Sequence, residues 1–145
     1  MEIGRMGSGG SIGVLIDTNI LLYVYDKADP FNAILDKFEY KPRFYIHKLV
    51  LNELDMLQSK YKKSTKIQSK VNVAKEYLEV FRGWWELIDL YSDLPTDDAL
   101  IATSKTMGLI LFTNDEELRH RALKENIEII FMGRGGKIIK SFHTI

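Results

Sequence analysis

The run Val14-Leu15-Ile16, closed at once by Asp17, constrains the fold more than any other stretch of this chain. An unbroken apolar run of this kind suits a strand buried on both faces of a parallel sheet. An acid at the carboxyl end of such a strand stands where open α/β sheets place their ligand crevice. Thr18, Asn19 and the apolar Ile20, Leu21 and Val24 turn the chain directly into a helix. Taken alone, Asp17 reads equally well as the cap of that helix, since Asp is a favoured N-cap. Three later acids in matching places shift the reading toward function.

With 145 residues the chain has the size of one domain with its own core. It contains no cysteine, which excludes disulfides, thiolate zinc sites and cysteine nucleophiles. His47, His120 and His143 are too scattered for a histidine-rich zinc site, so any metal is expected on oxygen ligands. No apolar run approaches the roughly 20 residues that span a bilayer, and no leader-like segment precedes Val14. A cytoplasmic protein without a membrane partner is expected. The formal net charge is zero, but its distribution is uneven. Lys60, Lys62, Lys63, Lys66, Lys70 and Lys75 follow one another with no acid among them, while Asp93, Asp97, Asp98, Asp115, Glu116 and Glu117 crowd a later section.

Residues 1–13, rich in Gly and Ser with a second methionine at Met6, have too little apolar content to order themselves and read as a natural tail or a cloning leader. Residues 14–145 read as a single domain. Asp29-Pro30 opens a helix that Phe31, Ile34, Leu35 and Phe38 continue; these four suit either the core or a dimer surface. Arg43–Ile46 reads as a second strand. Val50, Leu54, Leu57 and Tyr61 give an amphipathic helix over Lys48–Tyr61. Glu53 falls on the flank of its apolar stripe, where it either meets a functional partner or bridges to a nearby lysine. Ser64-Thr65 starts a long helix to about Arg82, stopped by Gly83. Trp84 and Trp85, suited to packing or to base stacking, precede a third strand over Leu87–Leu90. Thr96 can cap a helix with Asp97 and Asp98 in its first turn. Leu109–Phe112 repeats the first strand, with Asp115 just past its end, and Asn114 with Glu117 can form a capping box. Ile127–Phe131 reads as a last core strand, Gly133–Lys137 as a basic turn, and Lys137–Ile145 as an edge strand or tail. Strands alternating with helices predict an α/β sandwich around a largely parallel sheet.

In such a sheet Asp17 and Asp115 share one edge, and Asp98 and Glu53 complete a cluster. Like charges this close raise one another's pKa unless a cation neutralises them. All-oxygen ligands favour Mg²⁺ or Mn²⁺ over zinc, and an open acidic pocket of this kind suits phosphodiester hydrolysis.

Leu15-Ile-Asp17-Thr-Asn19-Ile-Leu-Leu, Glu53, Asp97-Asp98-Ala-Leu-Ile-Ala-Thr and Thr113-Asn114-Asp115-Glu-Glu-Leu, in this order, resemble the motifs of PIN-domain proteins. The resemblance implies a three-layer α/β/α sandwich and an endoribonuclease dependent on Mg²⁺ or Mn²⁺. It places Asp17, Glu53, Asp98 and Asp115 as catalytic and metal-holding acids, with Asn19, Asp97, Thr113 and Asn114 in support. Asp98 is preferred to Asp97 because the family motif sets its acid directly before the Ala. The section through Arg119-His120-Arg121 is most similar to the archaeal PIN branch related to rRNA-processing nucleases of the small subunit; VapC-type toxins share the same acids. The implied readings are an RNA or rRNA processing enzyme, a toxin held by an antitoxin, or a non-catalytic RNA-binding scaffold. A homodimer, and an antitoxin or ribosome-assembly factor as partner, are implied with them.

Lys60, Lys62, Lys63, Lys66 and Lys70 are the leading candidates for contacts to the backbone of a single-stranded RNA, with Arg119, Arg121, Arg134 and Lys137 as lesser ones. The alternative for each lysine is a solvated helix face.

Overall fold

The computed structural model of the chain describes residues 12–141. The tail expected over residues 1–13 therefore lies outside it up to residue 11, as does His143. Six strands form one sheet in the order β3-β2-β1-β4-β5-β6, parallel except for the last. The first strand, β1 (Gly13–Ile16), is buried throughout, as its apolar run requires. It pairs with β2 (Arg43–His47) on one side and β4 (Ile110–Phe112) on the other. The strand order thus reverses at β1, and the crevice between the carboxyl ends of β1 and β4 is a topological switch point.

From β1 the chain enters α1 (Thr18–Leu22), a 3-10 turn at Tyr23–Asp26 and α2 (Pro30–Lys37) before reaching β2. The antiparallel pair α3 (Lys48–Lys60) and α4 (Thr65–Val80) follows, then β3 (Trp85–Ile88) on the sheet edge. Helices α1, α3 and α4 pack on one another. Helices α5 (Thr96–Met107) and α6 (Glu116–Lys124) pack together. The result is the expected α/β/α sandwich. The sheet ends with β5 (Ile129–Met132) and antiparallel β6 (Ile138–Ser141). Among the described residues, no helix is long and apolar enough to cross a membrane.

Several local expectations shift. The third strand starts at Trp85, two residues early, because Trp85 pairs with Phe44 and buries its ring, its indole N–H donating to Leu78 O at 2.9 Å. Leu87 and Leu90, expected inside, are 50% and 40% exposed. Trp84 packs among Phe31, Phe44 and Phe81, so both tryptophans serve packing. The last parallel strand begins at Ile129, since Asn126 turns at a positive φ of 63° and buries Ile127 before it. Phe31, Ile34 and Phe38 are buried in the core and Leu35 is half-buried, so three of the four residues take the core alternative. Pro95, not Thr96, occupies the N-cap of α5. Asp115, not Asn114, caps α6, accepting from Leu118 N at 3.1 Å, and the expected capping box does not form.

Candidate active site

Asp17 follows the last residue of β1, and its N–H donates to Phe112 O at 2.9 Å, locking it to the end of β4. Asp17 as a whole is 5% exposed. Oδ1 accepts from the Thr18 N–H at 2.7 Å, the helix-cap role open to an Asp at this position. Oδ2 accepts from the Thr113 hydroxyl at 2.7 Å and from the Asn19 side-chain amide at 2.9 Å. Cap and buried acid are therefore the same residue. Burial pushes the Asp17 pKa up from 3.8 to about 6; the Thr113 and Thr18 bonds oppose the rise, and the charges of Asp97 and Glu53 add to it.

Thr113 and Asn114 continue the β4 end. Thr113 Oγ1 also accepts from the Asp115 N–H at 3.0 Å, so one hydroxyl ties both strand-end acids. Asn114 donates its backbone N–H to Asn19 Oδ1 at 3.1 Å and clasps the main chain of Met132 through both side-chain atoms. Asp115 is exposed beyond this frame.

Glu53 lies a turn and a half into α3, half-buried on the flank of the stripe set by Val50 and Leu54. Its partner is not a lysine: the Thr18 hydroxyl donates to Glu53 Oε1 at 2.5 Å, joining α3 to the start of α1. Nothing in the sequence singled out Thr18. The bond spans 35 positions, and only its place directly after Asp17 could have drawn attention to it.

The adjacent pair on α5 divides. Asp97 shares its helix face with buried Leu100 and Ser104, at i+3 and i+7, and so faces inward. Burial raises its pKa first, and then the charges of Asp115, Glu53 and Asp98 do, against a lowering by Arg121. Asp98 faces α6 and forms an ion pair with Arg121 there. Asp17 thus feels the charges of Asp97 and Glu53, and Asp97 those of Asp115, Glu53 and Asp98, while Asp98 also has its own cation in Arg121. Asp17, Glu53, Asp97 and Asp115 are the four that remain. Among the described residues none of these four joins a salt bridge.

An all-oxygen set with no salt bridge of its own around a buried carboxylate fits a hard divalent cation in charge and in ligand type. Among the described residues, no three acidic or histidine side chains converge to ion-holding distance in this conformation. His47 is wholly buried, with Nε2 on Leu90 O at 2.6 Å and Nδ1 accepting from Leu49 N at 3.0 Å, as the cap of α3.

Of the expected RNA contacts, Lys60, Lys62, Lys63 and Lys66 are exposed at and after the α3–α4 turn, and Lys70 is half-buried. Arg134 and Lys137 are exposed in the β5–β6 turn. Arg121 is taken up by Asp98, and Arg119 lies 4.2 Å over the Phe131 ring.

Residues 14–124 match the family profile of the PIN domain. Ribonuclease VapC9 of Archaeoglobus fulgidus is 33% identical over 133 residues, 91% of each chain. The fold resembles the PIN domain endonuclease Utp24, with a TM-score of 0.68 at 22% identity over 90% of this chain and 91% of that one. It also resembles PAE2754 from Pyrobaculum aerophilum, with a TM-score of 0.50 at 15% identity over 81% and 84%.

Proposed function

This chain belongs to the PIN-domain family, a family of nucleases, and on that premise we propose that it is an endoribonuclease dependent on Mg²⁺ or Mn²⁺ that acts in RNA processing. The observation that carries the reading is the acidic crevice at the switch point, with Asp17 buried in it and raised in pKa by burial and by the charges of Asp97 and Glu53. Asp17, Asp97 and Asp115 would hold the cation, with Glu53 beside them; Asp98 serves by fixing α5 to α6 through Arg121. When bound, such a cation activates water and stabilises the leaving oxygen of the phosphodiester. Thr113 and Asn19 hold the Asp17 carboxylate in one orientation and lower the cost of its charge. Glu53, fixed by Thr18, orients the attacking water. That water would form the new P–O bond and give up one proton, the bond to the leaving ribose oxygen would break, and that oxygen would take up one proton from solvent, so that one water is added across the bond.

The lysine reading is supported by the course of the helices. Helix α4 ends at the level of Phe44, where Phe81 and Trp84 pack, and contacts α1 and the 3-10 turn on the carboxyl side. Its 16 residues, about 24 Å, carry Lys60–Lys66 outward on that side. Incubating the protein with a mixed single-stranded RNA tests the proposal. Internal cuts are expected with Mg²⁺ or Mn²⁺ and none with EDTA; cutting that persists in EDTA refutes it.

The VapC9 likeness favours a second reading, a toxin whose acidic crevice is covered by an antitoxin. Induced expression that arrests growth, and no arrest with Asp17→Asn, is its expected signature.

A further inference from the structure

A second concavity adjoins the acidic crevice on the carboxyl edge. This groove, of about 480 Å³, lies between the 3-10 turn Tyr23–Asp26 and the β5–β6 turn, with Asn114 and Met132 among its walls. Its size is within the roughly 300–1,000 Å³ of small-ligand pockets. Asn114 belongs to both places. Its N–H binds the same Asn19 that holds Asp17, and its side chain clasps Met132 in the groove. One wall is main chain: Gly135 and Gly136 adopt φ of 70° and 77°, which glycine takes without strain, and they place no side chain over the opening. Tyr23, half-buried with part of its side chain against the core, and the exposed Asp26 line the groove from the 3-10 turn. Lys27 lines the groove, and Arg134 and Lys137 are exposed in the glycine-rich turn.

A carboxylate within the walls opposes a phosphate there. It suits the amino or ring N–H edge of a base, which Asp accepts from. An aromatic ring and bare peptide planes suit the flat face of a base splayed from a single strand. The surrounding cations match the phosphates on either side of that base.

We propose that this groove seats the base of a nucleotide next to the scissile phosphate, with Tyr23 as the stacking surface and Asp26 as the acceptor that reads the base edge. The inference rests on the endoribonuclease reading and adds a base preference to it.

The test is binding of four RNA pentamers, differing only in the central base, to the metal-free full chain by fluorescence anisotropy. The parent is expected to rank them over about tenfold in affinity, and Tyr23→Ala to weaken the best one by about tenfold, as loss of a stacked base does. Tyr23→Phe keeps the ring and is expected to keep the affinity, and an unchanged urea midpoint for Tyr23→Ala separates lost stacking from a folding defect. Asp26→Asn, at an exposed position, is expected to bring the four together. Equal binding by the parent, no binding at all, or a ranking that Asp26→Asn leaves intact overturns the groove. Metal-dependent cleavage is scored separately. Cleavage without base-ranked binding overturns the groove and leaves the nuclease reading standing; base-ranked binding lost in the variants, without cleavage in any metal, does the reverse.

Discussion

Thr113 Oγ1 donates to Asp17 Oδ2 at 2.7 Å while accepting from the Asp115 N–H at 3.0 Å, so a single hydroxyl both opposes the rise that burial imposes on the Asp17 pKa and ties Asp17 to the second strand-end acid. Thr113→Val keeps the shape and removes both bonds. The orphaned Asp115 N–H and the weaker support of Asp17 are expected to cost about 1–3 kcal/mol of stability. Mn²⁺ affinity is expected to fall about 10–100-fold, the usual effect of losing a residue that orients a ligand. Titration calorimetry with Mn²⁺ checks this, and Thr113→Ser should restore most of the affinity.

Asp97 and Asp98 separate in one experiment. Asp97→Asn is expected to abolish Mn²⁺ binding, because the charge of Asp97 acts on Asp17, and those of Glu53 and Asp115 act on Asp97. Asp98→Asn breaks only a half-exposed pair with Arg121, and should cost less than about 1 kcal/mol with binding largely retained. The opposite pattern would show that the inward acid is Asp98.

Without metal, stability should respond to pH through Asp17. Its pKa is about 6 in the folded protein against 3.8 otherwise. Between these values the folded state holds the proton and the unfolded state does not, so stability falls as pH rises through this window. The gap corresponds to roughly 3 kcal/mol, fully lost above pH 6 to 7. Urea midpoints from pH 4 to 8 in EDTA check it as the difference between the parent and Asp17→Asn. The parent should lose more stability with rising pH than the variant. Equal slopes count against a buried, reluctant carboxylate.

RNA affinity should depend on salt through the α3–α4 turn. Each phosphate contact contributes about 0.7 to the slope of log affinity against log salt for a single strand. Changing Lys60, Lys62, Lys63 and Lys66 together to Glu is expected to flatten the slope by about 2 to 3. An unchanged slope assigns these lysines to solvent alone.

The parts legible in the sequence were those in which one local signal suffices. β1 and β4 announce themselves as apolar runs stopped by polar residues, and helix α4 by its Ser64 cap and the stripe through Val71, Ala74 and Leu78. The edge strand β3 was misregistered because half of it faces solvent, and its register is set by Trp85 finding Phe44 and Leu78. Asp97 and Asp98 are the same residue type side by side, and only the helix phase against Leu100 and Ser104 tells them apart. The Thr18–Glu53 bond and the Asn114 clasp on Met132 join segments distant in the chain, and no local pattern encodes them.

In the proposed endoribonuclease, Asp17 organises a cation-dependent cutting centre. The most direct test titrates Mn²⁺ into the parent and into Asp17→Asn while the same samples are assayed for cutting of a mixed single-stranded RNA, with EDTA as control. The parent is expected to bind Mn²⁺ and cut, and the variant to lose both together. A variant that still cuts as the parent does would contradict the claim.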